Sequence, residues 1–145
     1  MIQVEEMAAQ ETHLLLREIG YGHLGCANRD GRPYVVPVHY AYDEPDIYIF
    51  TTEGLKTAYL DANPEVCLQV EDVRDPAHWR SVVANGRAER LTKSEDTERA
   101  MQFVIQRNPT LTPAISELWV DSWGRANLTV IYRISPETLS GRKTA

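Results

Sequence analysis

Residues 22–63 read GHLGCANRDGRPYVVPVHYAYDEPDIYIFTTEGLKTAYLDAN, and this stretch decides the fold. Three runs rich in β-branched and aromatic residues come first, over 22–28, 33–42 and 47–52. Asn28-Arg29-Asp30-Gly31 is turn chemistry and predicts a hairpin between the first two runs. Asp43-Glu44-Pro45-Asp46 predicts the next turn. Leu55 to Asn63 reads as a short helix, closed by Asn63-Pro64 because the residue before a proline leaves the helical region. Lys56 sits at the mouth of that helix. A cationic side chain beside the free N–H groups of a helix start is a natural seat for a phosphate. The polar and aromatic residues of the neighbouring strands could hold a ring attached to it. A phosphorylated cofactor is therefore the first expectation.

Outward from this segment, residues 5–19 predict a first helix with Met7, Leu14, Leu15 and Ile19 on one side, stopped by Gly20 and Gly22. Val66 to Val70 alternates Val, Leu, Val against Cys and Gln, as a half-buried strand does. Asp72 to His78 reads as a polar loop. Trp79 to Leu91 predicts a long strand, with Gly86 marking a bulge or bend. Thr92-Lys93-Ser94-Glu95 has the capping-box pattern and opens a helix to about Gln106. Thr112-Pro113 looks like another helix start. Ala126 to Ile134 closes the series as a strand, with Ala126, Leu128, Val130, Tyr132 and Ile134 on one face. Six strands joined mostly by hairpin-length connections predict a mainly β fold: a small six-stranded antiparallel barrel with peripheral helices. Strands and helices do not alternate, which argues against a doubly wound parallel sheet.

Composition fits one folded domain. The 145 residues are 43% apolar and 25% charged, enough for a core and too apolar for disorder. The net charge of −6 argues against a nucleic-acid binder and against electrostatic attachment to anionic membranes. No apolar run approaches the roughly 20 residues that span a bilayer. The acidic start MIQVEEMAAQE lacks the pattern of a signal peptide, so a cytoplasmic protein is expected. Cys26 and Cys67 lack metal or redox spacing and read as two reduced, buried thiols. His13, His23 and His78 are scattered and do not suggest a metal site.

The segments YGHLGCANRDGRPYVVPVHYAY, IYIFTTEGLK, LDANPEVCLQVED and WRSVVANGRAERL resemble, in this order, the FMN-binding split-barrel superfamily that includes pyridoxamine 5′-phosphate oxidase. The nearer likeness is to its branch of nitroimidazole-resistance and flavin-nucleotide-binding proteins. The resemblance implies a split barrel, a homodimer with two FMN sites built across the subunit interface, and reduction of a small acceptor, such as a nitroaromatic, by reduced FMN. It implies flavin contacts from Val35, Pro37, Val38 and His39, with His39 where the oxidase has a lysine and Tyr34 where it has a phosphate-binding arginine. Thr51 and Thr52 match the place where hydroxyls meet the ribityl phosphate. The family's Ser-Arg-Lys helix start is here Gly54-Leu55-Lys56, so only the lysine survives. Arg80 and Ser81 match a strand start that contacts flavin in relatives. No catalytic residue and no metal ligand are carried over. The residues that recognise pyridoxal phosphate have no match in RANLTVIYRISPETLSGRK, so vitamin B6 synthesis is not expected. The missing cations leave room for haem or a deazaflavin, both known in the wider superfamily. A flavin or haem storage protein is the alternative to an enzyme.

Each candidate has a simpler reading. Lys56 alone is a solvated lysine, and Thr51 and Thr52 are strand-end residues that cap a turn. His39 is a hydrogen-bonded strand histidine with no partner that makes a triad. Arg80 and Ser81 are ordinary strand surface. Trp79 and Trp123 suit the core or a dimer interface, and either could stack on a flavin. Tyr34, Tyr40, Tyr42 and Tyr48 suit barrel packing.

Overall fold

A computed structural model describes residues 1–107 and 129–145. The elements are β1 (Val4–Glu6), α1 (Ala9–Glu18), β2 (Tyr21–Ala27), β3 (Pro33–Asp43), β4 (Asp46–Thr52), α2 (Leu55–Ala62), β5 (Glu65–Asp75), β6 (His78–Arg90), α3 (Ser94–Arg107) and β7 (Thr129–Thr144). The strands lie in the order β1-β7-β4-β3-β2-β5-β6, and β6 pairs back onto β7. Six strands thus close on themselves, and β1 is added to the end of β7 through Val4↔Thr144 and Glu6↔Arg142. Every pairing is antiparallel. The predicted antiparallel barrel is the observed fold, with seven described strands in place of six.

The β2–β3 hairpin forms where the sequence predicts it. Asn28 Oδ1 accepts the N–H groups of Asp30 at 3.0 Å and Arg32 at 2.8 Å, and Gly31 supplies the positive φ of +85°. Strand alternation then sorts the side chains. Leu24, Tyr40, Ile49, Leu68, Val70, Val82 and Ile134 point inward and are sealed from solvent. Leu15 and Leu16 of α1 join this core, and the Tyr40 hydroxyl donates to the Leu16 carbonyl at 2.7 Å. On the outside, α3 lays Ala100 and Phe103 over Ala41, Phe50 and Ile131. Both predicted helices therefore pack around the barrel. Closure at Gly86 also follows the sequence reading: the β6–β7 register shifts between Asn85 and Gly86. A side chain there would collide with a backbone, since an added Cβ would lie 2.6 Å from the Ser135 carbonyl oxygen.

Four expectations are corrected. The helix expected over 5–19 begins only at Ala9, because residues 4–6 find the free edge of β7 and Lys143 meets Glu5 at 3.5 Å. Its buried side chains include Leu15 and Leu16, whereas Leu14 is exposed. The polar loop expected over 72–78 is a hairpin, with β5 reaching Asp75 and β6 starting at His78. It looks like a loop because much of it is solvent-facing, so polar residues occupy strand positions; Arg80 and Asp72 pair across it at 2.7 Å. The last strand continues ten residues past Ile134 to Thr144. Ser135-Pro136 hides it, but Pro136 falls at the register shift opposite Gly86, where a missing N–H is tolerated. The Thr112-Pro113 helix start, Trp123 and residues 126–128 lie outside the described residues.

Candidate functional site

The ladder between β3 and β4 ends at the pair His39↔Phe50. Both strands continue past it, β3 back to Pro33 and β4 on to Thr52. Their other edges stay occupied, since β3 pairs with β2 down to Pro33↔Ala27 and β4 pairs with β7 through Thr52↔Thr129. The barrel wall therefore splits between residues 33–38 and residues 51–52. Tyr40 donates its N–H to the Gly20 carbonyl at 3.0 Å, on the β2 side. By antiparallel geometry the odd-numbered residues of β3 turn their peptide groups the other way, toward β4. Val35 thus presents an N–H and a carbonyl to the opening. Pro37 presents a carbonyl alone, so it cannot extend the ladder.

Side chains around the opening divide by face. Val35, Pro37 and His39 point outward and are exposed, with Val35 at 65%. Tyr21 pairs with His39 on the same face and is 59% exposed. Val38 points inward and is only 5% exposed, and its peptide groups turn toward Gly22 of β2, so the structure does not present it to the opening. At the lower edge, the Lys56 ammonium donates to Thr51 Oγ1 at 2.7 Å. Burial pushes the Lys56 pKa below its usual 10.5, and the nearby Cys26 sulfur opposes this weakly. The amine is thus held half-dry beside the first turn of α2. Thr52 is exposed and, by alternation, lies on the opposite face of β4 from Thr51.

The remaining candidates are elsewhere. Ser81 is on the outer face of β6, where its Oγ accepts from Gln69 Nε2 at 3.0 Å. Gln69 Oε1 meets His23 Nδ1 at 3.3 Å, so the amide orientation makes that nitrogen the donor. Arg80 points to the other side and binds Asp72 at 2.7 Å and Glu18 at 3.5 Å. It lies ten residues along β6 from Arg90, which touches α2; at ~3.3 Å per residue that is roughly 30 Å from the Lys56 helix. The two edges of the opening therefore carry Val35, Pro37 and His39 on β3 and Thr51 and Thr52 on β4, with Lys56 bonded to Thr51, while Arg80 and Ser81 stand apart. Cys26 is buried and Cys67 half-buried, both are free, and burial raises the Cys26 thiol pKa. No group of three or more metal-ligating side chains occurs among the described residues. No helix among them is long and apolar enough to cross a membrane.

Sequence reading missed the cluster that holds α2. Arg90 pairs with Glu53 and with Asp61 at 2.9 Å, and the Tyr132 hydroxyl donates to Asp61 at 2.8 Å. Burial and this bond push the Tyr132 pKa upward, so the phenol stays a donor. These residues come from α2, β6, β7 and the turn before α2, and no local pattern links them.

The profile of the pyridoxamine 5′-phosphate oxidase family matches residues 8–143. The chain belongs to the pyridoxamine 5′-phosphate oxidase family. Among solved structures, a FAD-binding protein of Mesorhizobium loti is 31% identical, with a TM-score of 0.77, covering 100% of this chain and 99% of that one. A protein of Bacteroides thetaiotaomicron named for 5-nitroimidazole antibiotic resistance shares the fold at 16% identity and a TM-score of 0.77, over 99% of this chain and 89% of that one. An uncharacterized protein of Rhizobium meliloti is 32% identical over 92 residues, which is 63% of this chain; the match spans only 60% of that relative. In the present chain, the split between β3 and β4 offers both a cation, Lys56, and an exposed strand face.

Proposed function

We propose that this protein binds FMN at the split between β3 and β4, as a homodimer, and serves as a flavin-dependent reductase of a small acceptor of the nitroaromatic class. The observation that carries the reading is the opening itself, edged by the Lys56–Thr51 pair and by the outward row Val35, Pro37, His39. The donor set suits the group. A phosphate needs a cation and N–H or O–H donors, which Lys56, Thr51 and the first turn of α2 supply. A planar ring needs an apolar face with a few polar edges, which Val35, Pro37, His39 and the Val35 peptide supply. The FAD-binding name of the 31%-identical relative supports a flavin in general; FMN in particular rests on the sequence resemblance to FMN-binding split barrels.

When bound, the flavin would supply the redox chemistry: two electrons that, with two protons, would convert a nitro group to a nitroso group and water. The protein's own residues hold the phosphate, orient the ring and shield it. Tyr21 and Val35 leave an apolar outer face that no described element covers, and a second copy of the chain is the occupant that would exclude water there.

The test is the absorption spectrum of the purified protein, followed by titration with FMN, FAD, a deazaflavin and haem. FMN bound in preference to the others, then bleached by a reduced nicotinamide and restored by a nitroaromatic, is the expected result. A haem spectrum would replace the reading. Bound flavin that no nicotinamide bleaches would make the chain a flavin-storage protein.

A further inference from the structure

The first turn of α2 is tied locally by the Gly54 N–H, which donates to Thr57 Oγ1 at 2.9 Å. The N-cap of the helix is Gly54, without a side-chain cap, and neither terminal turn carries a charge that favours the helix dipole. Glu53 precedes that N-cap by one residue, and Asp61 lies in the last turn. Asp61 is poorly placed at the negative end of the helix, whereas Glu53, at the positive end, suits the dipole but sits three residues from the lysine offered to a phosphate.

Arg90 answers both. Its guanidinium reaches Glu53 with one arm and Asp61 with the other, at 2.9 Å. Glu53 also accepts from Thr57 Oγ1 at 2.9 Å, and Thr57 is 1% exposed, so the carboxylate is fixed beside the first turn. We infer that Arg90 is a positioning and charge-balancing residue of the anion site: it neutralises Glu53, which would otherwise repel a dianionic phosphate at Lys56. This rests on the FMN reading above. A fork is required because one lysine ammonium has no fixed geometry for two carboxylates.

The inference makes opposite predictions for the two partners. Arg90→Gln leaves the Glu53 charge unopposed, so FMN affinity falls about tenfold while riboflavin, which has no phosphate, changes less than about twofold. Glu53→Gln leaves Arg90 held by Asp61 with charge to spare, so FMN binds about threefold to tenfold tighter. A gain of affinity cannot arise from misfolding. The double variant Arg90→Gln, Glu53→Gln returns to within about threefold of wild type. The FMN losses and gains shrink in high salt. Titrations of FMN and riboflavin against the four proteins read all of this. If Arg90→Gln weakens both ligands equally, or if Glu53→Gln leaves FMN binding unchanged or weaker, the charge-balancing role is wrong while the FMN site stands. If wild type itself binds riboflavin as well as FMN, the phosphate site falls and the inference falls with it.

Discussion

Replacing Lys56 by methionine isolates the charge. Methionine keeps an unbranched apolar stem in the half-buried channel beside Thr51, and removes the ammonium that lies 2.7 Å from Thr51 Oγ1. The hydrogen bond to Thr51 is lost whichever ligand is added, so it cancels in a comparison of ligands. What remains is the contact to the phosphate. A hydrogen bond to a charged group is worth about 1.5–3 kcal/mol. That range corresponds to a loss of roughly tenfold to a hundredfold in affinity. The partial drying of Lys56 raises the stake, because a desolvated ammonium gains more from an anion than a hydrated one does. Fluorescence titration of FMN and riboflavin against wild type and Lys56→Met measures it. FMN should weaken by the stated factor and riboflavin by less than about twofold. Equal losses for both ligands, or none for either, would refute the reasoning and return Lys56 to a structural lysine.

Other outcomes follow from the same geometry. Because burial holds the Lys56 pKa below 10.5, the ammonium loses its proton at a lower pH than an exposed lysine does; FMN affinity should fall as pH rises through that depressed value, ahead of 10.5, while the difference from riboflavin disappears. In the same window the unfolded chain holds this proton more fully than the folded one, so the ligand-free protein should gain stability as pH rises; denaturant titrations of wild type and Lys56→Met, which lacks this slope, check it. Gly86→Val drives a side chain toward a backbone carbonyl 2.6 Å away, and should cost about 1–3 kcal/mol in urea unfolding. Sedimentation at micromolar protein should show a dimer, and Val35→Glu, on the exposed apolar face, should shift it toward monomer.

Much of the barrel is legible because its strands obey strict alternation. Tyr34 to Tyr40 sort into two faces on the period of two alone, and the structure keeps that sorting to Tyr40. Beyond it, Ala41 and Tyr42 are both buried, since α3 covers the outer face there; a helix from elsewhere in the chain leaves no local mark. The β5–β6 hairpin is misread for the reverse reason, that strand residues facing solvent have no apolar pattern to show. The site is legible in part. Thr51 and Lys56 are close in sequence, and a helix start next to a strand end brings them together. The end of the β3–β4 ladder is not legible, because it depends on where paired strands part. Arg80 is attractive as a cation in sequence but is occupied by Asp72 and Glu18, and Arg90, which does touch the turn before α2, lies 37 residues from Glu53.

The most direct test of the central claim is a crystal structure of the protein soaked with FMN. The phosphate should lie on Lys56 and Thr51, with the ring against Val35, Pro37 and His39. Flavin bound anywhere else, such as in the 530 Å³ groove lined by Trp79, Ser81 and Arg142, would contradict the assignment of the site to the split between β3 and β4.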